Sequence, residues 1–230
     1  MKTYMLTIVF VLLTCFTGLA QDAAGYLANG IKMHEKGKFD LALDALNKSL
    51  ALDTSVAQAY NVRGMIYFDL KKYKEAGEDY NKAISLDSNY SHAYYNRGIN
   101  YYEHFKYEDA LNDYNMAIDL DHDDPDMYYN RGLVREKLKD NEGAMDDYNH
   151  AIKINPKSGE AYHHRSKLRH KLGDDEKACE DLVKAYHLGI RSIRPTIKSL
   201  CGKDISHEEV AKEKAKEAEL KMVDSPEEEK

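Results

Sequence analysis

Asp119, Asp121 and Asp123 stand at alternate positions, the spacing that opens a calcium loop, where successive carboxylates can point at one hard cation. The rest of that pattern is missing, because Asp124 occupies the place of the turn glycine and Asn130 that of the bidentate glutamate. The stretch therefore reads as an acidic turn ahead of a helix starting at Pro125. Of the ten histidines, only His163 and His170 share a helix face, at a spacing of seven. Seven helical residues separate them by ~10 Å, too far for one zinc ion unless an outside ligand joins. Nucleophiles are equally sparse: the cysteines are Cys15, Cys179 and Cys201, and no glycine-rich phosphate loop, GxSxG or HExxH is present. Neither catalysis, nor a metal, nor a cofactor, nor a small-molecule substrate is expected.

The regularity that does exist is structural. Aligning Gly30, Gly64, Gly98, Gly132 and Ser166 reveals a period of 34 residues. Twelve residues after each stands Ala42, Ala76, Ala110, Ala144 or Ala178, and seven later Ser49, Ala83, Ala117, Ala151 or Ala185. Four residues before each stands Tyr26, Tyr60, Tyr94, Tyr128 or Tyr162. Small residues at three phases let two helices of a hairpin approach, and aromatics such as Tyr60, Tyr67, Tyr73 and Tyr80 are expected to fill the space around them. Apolar residues recur at helical spacing, as in Tyr80, Ala83 and Ile84, with no alternation of period two, so no strands are expected. Asp87, Asp121 and Asn155-Pro156 mark the turns between units. A single hairpin cannot bury its face alone, so neighbours must stack.

The run Ala93-Tyr94-Tyr95-Asn96-Arg97-Gly98, followed by Tyr101, Ala110, Tyr114, Ala117 and Ile118, resembles a tetratricopeptide repeat, and the resemblance covers residues 23 to about 190. It implies an all-α fold: a right-handed α-solenoid of about five helical hairpins with a C-terminal capping helix. The expected units are 23–56, 57–90, 91–124, 125–158 and a divergent fifth, 159–192, where Ser166, Arg169 and Asp175 replace glycine and aromatics. The resemblance further implies a protein without catalytic chemistry that holds peptides or protein surfaces in the concave face of the array.

Charge follows the same period. Arg63, Arg97, Arg131 and Arg165 are each followed sixteen residues later by Asp79, Asp113, Asp147 or Asp181, while the first unit has Asn29 and Ala45 there. Loss of both together suggests that the two side chains meet, inside a hairpin or across a stacking seam; the alternative is independent solvated charges.

The ends carry other signals. Lys2, the apolar run Met5 to Leu13 and Gly18-Leu19-Ala20 have the order of a signal peptide over 1–20, with the mature chain starting at Gln21 in the periplasm or outside the cell. The run is short of the ~20 residues that span a bilayer. Leu12-Leu13-Thr14-Cys15 also resembles a lipobox, and lipidation of Cys15 would be the one route to a membrane, although Thr14 is bulky for that site. After the fifth unit, Gly189 ends a helix, Ser192 is expected to cap a short helix over Ile193 to Cys201 (capping segment 193–202), and Gly202 closes it. Cys179 lies ten residues before Gly189 and Cys201 twelve after, so an antiparallel return brings the thiols to one height, where export would oxidise them to a disulfide; two free thiols are the alternative. Ser206-His207-Glu208-Glu209 has the form of a capping box opening a charged tail, 203–230, that offers little apolar surface to bury.

With 43% hydrophobic and 32% charged residues the chain suits a folded soluble protein, and a formal charge of -7 argues against binding to nucleic-acid phosphates. A protein or peptide partner remains. On the first helix of each unit, the positions six and three before the repeat glycine and one and four after it share one face. They hold Gln58, Asn61, Met65 and Phe68, then His92, Tyr95, Ile99 and Tyr102, then Asp126, Tyr129, Leu133 and Glu136. By the resemblance this face lines the groove. The family's clamp for a C-terminal carboxylate has Lys and Asn on the first unit, whereas Leu27 and Ile31 stand here, so a different peptide is expected. Tyr95, Tyr102 and Tyr129 would meet its apolar side chains, and Asp69, Glu103 and Glu136 would favour basic residues alongside. The alternatives are that these tyrosines only pack on each other, or that the chain is a permanent subunit of an envelope assembly.

Overall fold

The protein is described by a computed structural model over residues 22–202. The expected signal segment with Cys15, and the tail with its capping box, lie outside the described residues. Among the described residues every regular element is helical, and no helix is long and apolar enough to cross a membrane. The helices are α1 (22–35), α2 (Phe39–Leu52), α3 (Ala57–Asp69), α4 (Tyr73–Leu86), α5 (Ser91–Glu103), α6 (Tyr107–Leu120), α7 (Pro125–Lys137), α8 (Asn141–Ile154), α9 (Gly159–Lys171), α10 (Asp175–His187) and α11 (Arg194–Cys201), with a 3-10 turn at Arg191–Ile193. They form two compact units, one ending at Lys139 and one beginning at Asp140.

The turns within hairpins explain the helix lengths. Gly37, Lys71, Phe105, Lys139 and Gly173, spaced by 34, all have left-handed backbone, with φ of 66°, 59°, 59°, 64° and 86°. At the second of them Lys72 N–H reaches the Tyr67 carbonyl at 2.7 Å and Lys71 N–H the Phe68 carbonyl at 2.8 Å, the two-bond motif that satisfies the last carbonyls of a helix. Between hairpins the chain leaves each second helix in extended backbone at Asp53, Asp87, Asp121 and Asn155. Their side chains accept from the N–H two residues on: Ser55 at 2.8 Å, Asn89 at 2.9 Å, Asp123 at 3.2 Å and Lys157 at 3.0 Å. The acidic stretch at 119–124 is thereby a turn, with Asp124 capping α7 through Asp126 N–H at 2.9 Å.

In the first unit α3 packs on α4 and α5 on α6 as hairpins, and α2 meets α3, α4 meets α5 and α6 meets α7 as the hairpins stack. All five alanines at the first small phase, and the residues at the second, are fully buried. The glycine phase acts differently from expectation. A Cβ on Gly64 would lie 2.7 Å from Tyr80 Cε1, and one on Gly98 2.8 Å from Tyr114 Cε1. The missing side chain is room for a ring sixteen residues on, more than an approach of two backbones. Gly30 faces Leu46 in the same way. Tyr80 and Tyr114 are each 1% exposed, and burying a side chain of this size contributes ~1.5–3 kcal/mol. Tyr60, Tyr67 and Tyr73 are only half-buried, so of the four aromatics expected to fill the hairpin only Tyr80 is core.

In the second unit α9 and α10 form a hairpin, α8 stacks on α9, and α11 covers α10. Ile193 and Ile197 pack on Leu182, Ala185 and Tyr186, with Tyr162, Ile190 and Leu200 at the edge. Ser192 does not cap α11: it sits inside the 3-10 turn, and the helix starts at Arg194 with Pro195 in its first turn, where a missing N–H leaves nothing unsatisfied. Gly202, at φ 63°, ends it. Cys179 and Cys201 are joined, with Cα atoms 5.6 Å apart, tying α11 to α10.

Candidate functional site

The face carried by the first helices can be built from the residues that hold those helices in register. Arg63 on α3 donates from Nε and Nη2 to both oxygens of Asp79 on α4, each at 2.7 Å, and from Nη1 to Asn47 on α2 at 2.8 Å. Arg97 repeats this with Asp113 at 2.8 and 2.7 Å and Asn81 at 2.6 Å, and Arg165 with Asp181 at 2.8 Å twice and Asn149 at 2.7 Å. Arg131 donates to Asn115 at 2.9 Å. The carboxylate fork thus lies inside a hairpin and the asparagine bond crosses the stacking seam. Tyrosine rings flank two of the guanidinium groups, Tyr60 at 5.4 Å and Tyr67 at 5.9 Å for Arg63 and Tyr94 and Tyr101 for Arg97, and a ring lies by each of the others, Tyr128 for Arg131 and Tyr162 for Arg165. Hydrogen bonding to Asp79 and Asp113 holds Arg63 and Arg97 above their already high ordinary pKa, so both stay charged. The asparagines Asn47, Asn81, Asn115 and Asn149 carry the same 34-residue period, a signal that the pairing of Arg with Asp alone overlooks.

The opposite face of α3, α5 and α7 holds the positions expected to meet a partner. Met65, Phe68, Tyr95, Ile99, Tyr102, Tyr129, Leu133 and Glu136 are half-buried, while His92 and Glu103 are exposed. Asn61 departs from the expectation. It is 3% exposed, donates to the Tyr90 hydroxyl at 3.2 Å and accepts from Asn96 Nδ2 at 3.0 Å. One repeat on, Asn130 Nδ2 donates to the Tyr95 hydroxyl at 2.8 Å, and the Tyr95 ring lies 5.8 Å from that of Tyr114. Asn61 and Tyr95 therefore bind neighbouring helices to each other, which removes Asn61 from the accessible surface and gives Tyr95 a packing role. Burial pushes the Tyr95 and Tyr102 phenols above the ordinary range; around Tyr102 the neighbouring Tyr107, then Glu103 and Glu136, add to it.

Three of the expected residues, Met65, Phe68 and Ile99, line an open hollow of about 170 Å³ in the first unit. The remaining walls are Tyr80, Asn96, Asp69 and His34. His34 Nε2 lies 2.7 Å from Asp69 Oδ2, linking the ends of α1 and α3. His34 stands four residues after Gly30, the phase of Phe68 and Tyr102, so the period itself could have placed it on this face. Asn96 lies one residue off the expected stripe and carries no such signal.

The two histidines singled out by spacing have separate surroundings. His170 Nδ1 pairs with Asp175 at 2.5 Å. Burial, then Lys167 and His164, push the His163 imidazole down to about 4. Among the described residues no three His, Cys, Asp or Glu side chains converge as ligands.

Comparison with known proteins adds the following. A family described as tetratricopeptide repeat matches residues 57–90 and 125–158, a second so described matches 159–188, and one described as TPR repeat matches 101–139. No curated protein matches the sequence. Among solved structures, MamA is similar at 27% identity over 71% of this chain and 95% of its own, with a TM-score of 0.63. PilF of Pseudomonas aeruginosa shares the fold at 23% identity, 80% and 90% coverage and a TM-score of 0.70. YrrB, described as a TPR protein with an unusual peptide-binding site, shares it at 23% identity, 76% and 92% coverage and a TM-score of 0.61.

Proposed function

The chain belongs to the tetratricopeptide-repeat family, whose members mediate protein–protein interactions, and from that premise we propose that it is an exported, non-enzymatic scaffold that holds a polypeptide against the face of its first helices. The observation that carries this reading is the row of half-buried apolar side chains Met65, Phe68, Ile99 and Tyr102, which opens into a hollow on α3 and α5. Side chains left partly wet in this way gain most when a partner covers them, whereas the opposite face is closed by its arginine ladder. Exposed Glu103 and Asp69 at the ends of the same helices favour a partner with basic residues. The family resemblance to YrrB, whose described feature is a peptide-binding site, agrees with a polypeptide ligand.

The test begins with affinity capture from the source cells, mass spectrometry of what is retained, and titration of the recovered partner. Phe68→Ala with Tyr102→Ala should weaken binding by ~2 kcal/mol or more while far-UV circular dichroism stays unchanged. Unchanged affinity in a helical double variant would place the surface elsewhere. Export rests on the order of Lys2, the apolar run and Gly18-Leu19-Ala20. Terminal sequencing of the native protein should find Gln21 first; Met1 would overturn export, and a lipidated Cys15 would convert the soluble form to an anchored one.

A further inference from the structure

We propose that the hollow beside His34 is a receptor for one lysine side chain of the bound polypeptide, an assignment that rests on the first-helix face being the binding face. Its floor is Tyr80, which is 1% exposed and whose hydroxyl has no hydrogen-bond partner among the described residues. The hydroxyl is not fully enclosed, so a group entering the hollow can reach it and hydrogen-bond to it. Burial first, then the carboxylates of Asp69 and Asp79, push that phenol above its ordinary range, so it stays protonated and keeps its oxygen lone pairs. The second acceptor is Asn96. Its Nδ2 is committed to Asn61 at 3.0 Å, and its carbonyl Oδ1 accepts from no group among the described residues. The third is Asp69, which binds His34 through Oδ2 at 2.7 Å and keeps Oδ1 and an exposed edge at the mouth.

The walls between these groups are apolar: Met65, Phe68 and Ile99. The hollow, at about 170 Å³, far exceeds the ~10–15 Å³ that one water needs on this measure, so it has room for a side chain. Its chemistry selects which. An aliphatic stem satisfies the walls and a cation satisfies the end, the combination found in lysine and arginine. An acidic side chain could accept from the Tyr80 hydroxyl but would face the Asp69 charge and the Asn96 carbonyl oxygen. Arginine in this protein is met by both oxygens of one carboxylate in the plane of the guanidinium, as Arg63 is by Asp79. Here the acceptors come from α3, α4 and α5 separately, which suits the three diverging donors of an ammonium group.

The experiment uses full-length protein labelled with 13C at the methionine methyls, titrated at pH 8 with Nα-acetyl-lysine methylamide, and with the norleucine and arginine equivalents. The lysine probe is expected to shift the Met65 methyl saturably, with Kd on the order of 1–10 mM, and to leave the Met145 methyl in place. The norleucine probe, which lacks the ammonium, should bind about tenfold more weakly. Tyr80→Phe and Asp69→Asn should each weaken the lysine probe about fivefold or more, and because Asp69 is exposed its variant reports on charge without loss of fold. No saturable shift at Met65, equal binding of norleucine, tighter binding of arginine, or wild-type affinity in both variants would each overturn the proposal. These readings do not depend on the native partner. If they fail while Phe68→Ala with Tyr102→Ala still loses that partner, the lysine receptor falls and the binding face stands; if the double variant captures it normally, the face itself falls.

Discussion

Arg97 shows why an arginine stands at this phase of the repeat. It places three donors at fixed angles, two on Asp113 and one on Asn81, while its flat faces lie 5.6 Å from Tyr94 and 5.8 Å from Tyr101. A lysine ammonium can reproduce one of these contacts at a time. Arg97→Lys should therefore lower stability by ~1.5–3 kcal/mol, and Asp113→Ala by a similar amount, since it strands a half-buried guanidinium. In urea denaturation the double change Arg97→Ala with Asp113→Ala should cost at least ~1 kcal/mol less than the sum of its parts; simple additivity would show that the fork does not couple the helices. His163 gives the pH counterpart. Burial, with Lys167 and His164, holds its pKa near 4, below the ~6.5 of an unfolded chain, so the unfolded state binds the proton more readily. Its contribution is complete above about pH 6.5 and is lost as pH falls toward 4. The loss is about 1 kcal/mol once discounted for the part of the ring that water screens, and His163→Gln should flatten the Tm profile across that window.

At the scale of the element, the hairpin turn places a residue in left-handed backbone every 34 positions, and the occupant differs from turn to turn. Gly37 and Gly173 adopt it without strain, whereas Phe105 holds φ 59° with its side chain 78% exposed. That conformation costs a residue with a Cβ ~1–2 kcal/mol, and the ring recovers little beyond an edge contact with Tyr107 at 6.3 Å. Phe105→Gly is expected to raise Tm by about 2–4 °C, measured by thermal denaturation, despite removing a large apolar side chain. A fall would mean that the exposed ring contributes more packing than its contacts indicate. The glycine phase follows the opposite logic: Gly64 and Gly98 have ordinary helical backbone and are small only because Tyr80 and Tyr114 occupy the space above them.

For the molecule as a whole, hairpins that touch only their neighbours make stability a sum of local terms. The first hairpin lacks both members of the charged fork, with Asn29 and Ala45 in their places, and keeps two bonds across its seam, Asn47 to Arg63 and, at the exposed helix ends, His34 to Asp69. Ser49 donating to the Ala23 carbonyl at 2.8 Å adds a bond between α1 and α2, but it is neutral and single. Native-state hydrogen exchange should accordingly find α1 and α2 opening at lower free energy than α3 to α6. Equal protection across all six helices would mean that the apolar cluster around Leu27, Leu46 and Ile66 compensates for the missing fork. At the far end, the cap α11 is held by Ile193 and Ile197 and by the bond from Cys179 to Cys201.

Period and residue size, both properties of the linear chain, were enough to anticipate the helical hairpins and the Asp or Asn turns between them, and pointed to the pairing of Arg63, Arg97 and Arg165 with the Asp sixteen residues on, while the residue count on either side of Gly189 pointed to the return of Cys201 to Cys179. A 34-residue repeat imposes one geometry on every copy, so a feature that recurs, or disappears together with its partner as in the first unit, is legible without coordinates. Other features arise where two different units meet, and spacing within one unit does not report on them. Only the tertiary structure could show that Asn61 and Tyr95, which share a stripe with Met65 and Ile99, are spent on Asn96 and Asn130 of the next hairpin. The same holds for the hollow: His34, Asp69, Tyr80 and Asn96 come from four helices, and what places an unpartnered hydroxyl beside a carboxylate is the stacking of three hairpins, set by packing along the whole seam rather than by any local run of residues.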